Sequence, residues 1–143
     1  MIRALRPDDS SRWHELWAGY LHFYRGEVDE ATTLHTFERL CERRDGLFGL
    51  AGIDSTGAMV GFAHCVVHPS TWSRAPSCYL EDLFVERGAR GSGMARELIE
   101  AVYAEADRLG APHVYWHTQE FNSPARSLYD VVGHRTSFIV YER

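Results

Sequence analysis

The sequence predicts an α+β fold in which a mixed, mostly antiparallel sheet is flanked by helices, and three observations lead there. Short β-prone runs and segments with apolar residues at helical spacing follow one another along the chain. Two of those runs are joined by Asp54-Ser55-Thr56-Gly57, a polar connection suited to an antiparallel hairpin. The run Tyr79–Val85 is followed by Gly88, Gly91 and Gly93 and then by a long amphipathic segment. The strand after that helix should lie parallel to Tyr79–Val85 across a right-handed crossover.

Ile2–Leu5 reads as a short first strand closed by Arg6-Pro7. Asp8, Asp9 and Ser10 offer helix caps, and Trp13, Leu16, Trp17, Tyr20, Leu21 and Tyr24 form an apolar stripe that stops near Gly26. A second helix is predicted from Thr32 or Thr33 to Arg43, with Leu34, Phe37, Leu40 and Cys41 inward. Leu47–Ile53 and Ala58–Val67 are the hairpin strands, and the polar loop Pro69–Ser77 leads into the Tyr79 strand. From Met94 the residues Leu98, Ile99, Val102, Tyr103, Ala106 and Leu109 recur at helical spacing, and Gly110 and Pro112 end that helix. His113–Thr118 is the parallel strand, Ser123–Val132 a short helix and Ser137–Tyr141 a last strand.

The 143 residues suit one domain, 1–143, and hydrophobic residues at 45% with aromatics at 13% argue against disorder. A net charge of −5 disfavours nucleic acid as a partner and favours a cationic substrate. Three cysteines, Cys41, Cys65 and Cys78, show no Cys-x-x-Cys and point to a reducing cytoplasm. No signal peptide or membrane-length apolar run is seen, so no membrane role is expected.

A helix entered through glycines aims its first backbone N–H groups outward and, with the positive end of its dipole, makes a site for phosphate. Arg87, Arg90 and Arg96 surround that site. The spacing is not the Gly-x-Gly-x-x-Gly of a dinucleotide fold, and it lacks the Gly-Lys-Ser/Thr of a P-loop. Arg90-Gly91-Ser92-Gly93-Met94-Ala95 instead resembles the acyl-CoA-binding segment of the GCN5-related N-acetyltransferases, Arg/Gln-x-x-Gly-x-Gly/Ala. Leu80-Glu81-Asp82-Leu83-Phe84-Val85 resembles the branch with the spermidine/spermine acetyltransferases and the yeast histone/polyamine acetyltransferases. Asn122, Pro124, Ala125, Leu128 and Tyr129 match that family's later helix.

The resemblance implies a three-layer fold with two adjacent parallel strands splayed at the cofactor cleft. It also implies acetyl transfer from acetyl-CoA to a primary amine, a polyamine or amino acid, by direct transfer in a ternary complex. Carried over residue by residue, it makes Arg90, Gly91, Ser92, Gly93, Met94, Ala95 and Arg96 the phosphate turn. Main-chain N–H groups of Leu83, Phe84 and Val85 then hold the pantetheine arm and the oxyanion. Asn122 contacts the arm, and Arg126 is a candidate phosphate contact. The first two helices would wall the acceptor site, with Tyr24, Trp116 and His117 as candidate contacts there. The family usually has two C-terminal strands, and the short tail after Gly133 leaves an open edge that a second copy of the chain would cover as a homodimer.

The chemistry asks for two side-chain groups besides the main-chain oxyanion donors. An amine acceptor is protonated at neutral pH, with a pKa near ~10.4, and must lose a proton before it attacks. By the resemblance Glu81 is the acceptor-side carboxylate, a base through water or an ammonium holder, whereas Asp82 is expected on the opposite face as a structural carboxylate bonded to backbone or arginine. The thiolate leaving group needs a donor, and Tyr129, with a phenol pKa near ~10, stays protonated to serve. A Cys78 nucleophile with His64 or His117 as base is the weaker scheme, because direct transfer needs none. His64 and His68 would lie ~13 Å apart along a strand, too far to share a zinc, and no metal is expected. A protein or histone-tail lysine acetyltransferase and a non-catalytic acyl-CoA sensor stay open as alternatives. Retention of both Glu81 and Tyr129 speaks against the sensor.

Overall fold

In a computed structural model describing all 143 residues, five strands form one sheet in the order β1-β2-β3-β4-β5. They are β1 (Ile2–Ala4), β2 (Leu47–Ile53), β3 (Met59–His68), β4 (Ser77–Val85) and β5 (His113–Tyr115). The first four are antiparallel neighbours, and β5 runs parallel to β4. The predicted three-layer α+β architecture is the observed one. Helices α1 (Ser10–Tyr24) and α2 (Glu30–Glu42) cover one face; α3 (Met94–Arg108) and α4 (Ser123–Val132) cover the other. No helix is long and apolar enough to cross a membrane.

Each strand of the hairpin divides its side chains between two cores. Phe48, Leu50, Val60, Ala63 and Cys65 meet Leu98, Ile99 and Val102 of α3. Ala51, Ile53, Met59 and Phe62 meet Trp13, Leu16 and Trp17 of α1 and Phe37 and Leu40 of α2. This is the period-2 alternation of a sheet covered on both faces. The N-terminus of α3 reaches β2 through a gap: a side chain at Gly52 would lie 2.6 Å from the Met94 sulfur. Asp29 caps α2, its Oδ1 accepting from the Thr32 backbone N–H at 2.6 Å.

Two predicted elements differ. The strand after the crossover ends at Tyr115 and not at Thr118, because β4 bends away from it beyond Tyr79. Ser137–Tyr141 forms no strand, and Phe138, Ile139, Val140 and Tyr141 are exposed. Its residues are β-prone, but a strand exists only as one side of a ladder and the chain offers this segment no partner.

Candidate active site

The site begins with a break in a ladder. His64 pairs with Asp82, but the next residue, Cys65, pairs with Leu80, leaving Glu81 as an extra residue in β4. A bulge of this kind bends its strand and re-aims side chains. Leu80 and Leu83 both pack toward α3, so Glu81 and Asp82 lie between them on the α1 side. The expectation that the two carboxylates face opposite ways is therefore corrected. Strict alternation fails where the bulge adds a residue.

Beyond the bulge, β4 parts from β5. Their pairing covers only Ser77–Tyr79 against His113–Tyr115. The separation opens a cleft of about 450 Å³ lined by Leu83, Phe84 and Val85 of β4, Met94, Ala95 and Arg96 of α3, and Asn122 and Tyr129 of α4. Tyr24 from the end of α1, Arg90, Gly91 and Gly93 complete the part foreseen from sequence. Phe23 and Ala89 also line it and were not foreseen; Phe23 is placed by the Arg90 guanidinium, 5.7 Å from its ring centroid.

Gly91 and Gly93 have φ of 81° and 88°, and a Cβ on either would meet nothing within 4 Å. The backbone conformation needs glycine, and the surroundings leave room for a ligand against it. Arg90 braces the turn by donating from Nε to the Val85 carbonyl at 3.1 Å. Ser92 ties it from inside, its Oγ donating to the Ala89 carbonyl at 2.6 Å. Arg96 pairs with Glu100 at 2.8 Å. The turn and the N-terminus of α3 thus fit the diphosphate of acetyl-CoA, and the cleft between β4 and α4 fits its arm.

Asn122 opens α4 without a side-chain capping bond, which leaves its amide to the cleft. Tyr129 packs edge-on against Trp116 at 5.5 Å, and burial pushes its phenol up to about 12. Glu81 is exposed, yet the protein around it and then the Asp82 charge push its carboxyl above the usual carboxylate range, with His64 of β3 and then Arg39 of α2 opposing. Tyr24 joins the two ends: it lines the cleft and packs on Tyr20 with ring centroids 4.9 Å apart, and the Tyr20 hydroxyl donates to Asp82 at 2.8 Å.

Other foreseen residues fall elsewhere. Trp116 sits under α4 beside Tyr129 and Gly133, on the α3 side of the sheet, and not on the acceptor wall. His117 meets the Tyr79 hydroxyl at 3.1 Å on the opposite face. Arg126 donates to the Glu120 carbonyl at 2.6 Å and is not among the cleft-lining residues. Asp82 is bonded to neither backbone nor arginine: its partners are His64 and Tyr20. The signal for that pairing was a histidine inside the apolar run of β3, beside Phe62. Cys78 is fully buried toward α3, while His64 lies on the α1 side, so the two form no nucleophile–base pair.

A mixed sheet splayed beside a glycine turn, with Tyr129 lining the cleft and the carboxylates Glu81 and Asp82 on the adjoining stretch of β4, is the arrangement an acyl-CoA-dependent acyltransferase needs. The chain belongs to the Acetyltransferase (GNAT) family, whose pattern matches residues 11–134, and it is an N-acetyltransferase of that family. It is 36% identical to the D-amino-acid N-acetyltransferase HPA3 of Saccharomyces cerevisiae over 144 residues, covering 100% of this chain and 89% of that one. It is 28% identical to the uncharacterized N-acetyltransferase YhfO of Bacillus subtilis, covering 98% and 94%. The fold matches a probable acetyltransferase with a TM-score of 0.86 at 19% identity, covering 100% of this chain and 96% of that one. It also matches AAC(6')-Iy in complex with a CoA bisubstrate analog, with a TM-score of 0.84 at 22% identity and the same coverage.

Proposed function

We propose that this enzyme transfers the acetyl group of acetyl-CoA directly to the primary amine of a small molecule, an amino acid or a polyamine. The observation that carries the reading is the phenol of Tyr129 in a cleft that Tyr24 also lines, with Tyr24 packed on Tyr20 and Tyr20 bonded to Asp82, the neighbour of Glu81. The name of the yeast relative favours an amino acid. Acetyl-CoA supplies an activated thioester. The main chain of Leu83–Val85, freed from β5, offers N–H donors to the thioester oxygen as charge develops there. Glu81 takes the ammonium proton, directly or through water, and releases it to solvent. Tyr129 gives its proton to the departing sulfur and is restored by the second proton that the attacking nitrogen sheds, passed directly or through water; burial keeps the phenol protonated across the working pH range.

The same reading makes the chain a homodimer in which the exposed Phe138–Tyr141 segment finds its ladder on a second copy. Three free cysteines fit a reducing cytoplasm. The deciding experiment is thiol release from acetyl-CoA with a panel of D- and L-amino acids, polyamines and lysine peptides. Turnover above the rate in water with an amino acid or polyamine is expected. Turnover confined to lysine peptides, or none with any amine, overturns the small-molecule assignment.

A further inference from the structure

Asp82 has both carboxylate oxygens taken up inside the protein. Its Oδ2 meets His64 Nδ1 at 2.9 Å, and its Oδ1 accepts from the Tyr20 hydroxyl at 2.8 Å. On the far side of the imidazole, Trp13 donates its indole N–H to His64 Nε2 at 2.9 Å. An indole N–H can only donate, so Nε2 is the bare nitrogen and the ring proton sits on Nδ1, where Asp82 accepts it. The bonds therefore run in one direction, from Trp13 through His64 to Asp82, with Tyr20 donating into the same group from α1.

The chain is also held sterically. Trp13 is fully buried and His64 is 3% exposed. The imidazole lies flat on Phe62, with centroids 4.3 Å apart and planes 9° from parallel. An enclosed polar chain is costly unless every member is satisfied, and here each one is. Two acceptor oxygens with two donors match the hydrogen-bonding pattern of an ionised carboxylate. The bulge puts this carboxylate beside Glu81 on the same face of the sheet.

We propose that Trp13, His64 and Tyr20 are positioning residues that hold Asp82 as a second negative charge beside Glu81, where it draws a cationic amine and acts on Glu81 as a like charge. What the charge attracts rests on the amine reading of the site; its action on Glu81 does not. The other titratable groups facing Glu81 are Tyr79 on β4, His64 on β3, Tyr115 on β5 and Arg39 on α2. Arg39 acts against Asp82, and its Nε has no partner within the protein.

Two measurements test this. In the unaltered protein, ¹⁵N NMR of the histidine side chains should find His64 protonated on Nδ1 and bare on Nε2. Protonation on Nε2 would leave the Trp13 indole without its acceptor and overturn the chain. The second follows the Glu81 carboxyl carbon by ¹³C NMR through a pH titration, its signal identified by its loss in Glu81→Gln. In Asp82→Asn the Glu81 midpoint should move to lower pH by about one unit, as expected when a like charge a few ångströms away is removed. An unmoved midpoint overturns the proposal, and if Asp82→Asn does not fold, the tautomer in the unaltered protein decides alone. Neither measurement needs substrate. A shifted midpoint in a protein that acetylates no amine would sink the amine reading and leave this one standing.

Discussion

Glu81 and Tyr129 are proposed to handle the two protons of the reaction, and each makes a testable demand at the scale of one side chain. The raised Glu81 carboxyl is a base only once ionised, so activity falls as pH drops through its elevated value. In Glu81→Gln, kcat at saturating amine should be most reduced near neutrality and recover relative to wild type toward about pH 9.5, where solution supplies neutral amine. A mutant-to-wild-type kcat ratio that stays constant from neutrality to that pH removes Glu81 as the base. Tyr129→Phe should lower kcat by about 10²–10⁴-fold while acetyl-CoA affinity changes little, the range for a positioned acid. Single-turnover rates alongside CoA titration separate the two effects, and near-normal turnover excludes Tyr129 from the mechanism.

At the scale of elements, the glycine turn and the junction of α2 with α3 each concentrate their effect in one contact. Gly93 holds φ 88° in open space, so Gly93→Val strains the backbone and fills the approach to the α3 N-terminus. CoA binding by calorimetry should weaken severely while the circular dichroism of the protein persists; unchanged affinity sinks the phosphate-turn assignment. Glu105 of α3 accepts from Arg108 at 2.7 Å and from Arg43 at the end of α2. The Arg108 bond, then the Arg43 bond, overcome desolvation and hold its carboxyl down at about 2. A depressed carboxyl contributes stability above its unfolded pKa, and that contribution is lost as pH falls through the folded value. The pairs are partly solvated, so the contribution is about 0.5–1 kcal/mol. Glu105→Gln should therefore lower Tm by about 1–4 °C at neutral pH, with a difference that closes toward pH ~2. A deficit that persists unchanged in acid points to lost packing and not to charge.

For the whole molecule, the C-terminal segment is the feature that one chain leaves unresolved. Phe138, Ile139, Val140 and Tyr141 are 64–89% exposed in succession, an arrangement with the composition of a strand and no ladder. Light scattering at micromolar concentration should give a dimer, and removal of residues 137–143 should give a monomer. A monomeric intact protein refutes the pairing.

The local parts of this structure were legible in the residues. Helix period marks α3 and α4, strand composition marks β2 and β4, and the glycines before Met94 mark a turn with room for phosphate. Each is written within a window of a few residues, because helical spacing and positive φ are properties of neighbouring positions. Tyr129 was found through the resemblance of Asn122–Tyr129 to the family's later helix, and its burial fits the proposed role. Facing and partnership were not legible. Whether Asp82 points with Glu81 or against it depends on how β4 registers with β3, and the bulge exists only in the paired sheet. The bonding of His64 to Trp13 and Asp82 joins three elements distant in sequence. The sequence by itself determined the helices, the first four strands and the glycine turn before α3. Pairing between strands decided which carboxylates share the acceptor face, because a single inserted residue reverses the side on which all later ones lie.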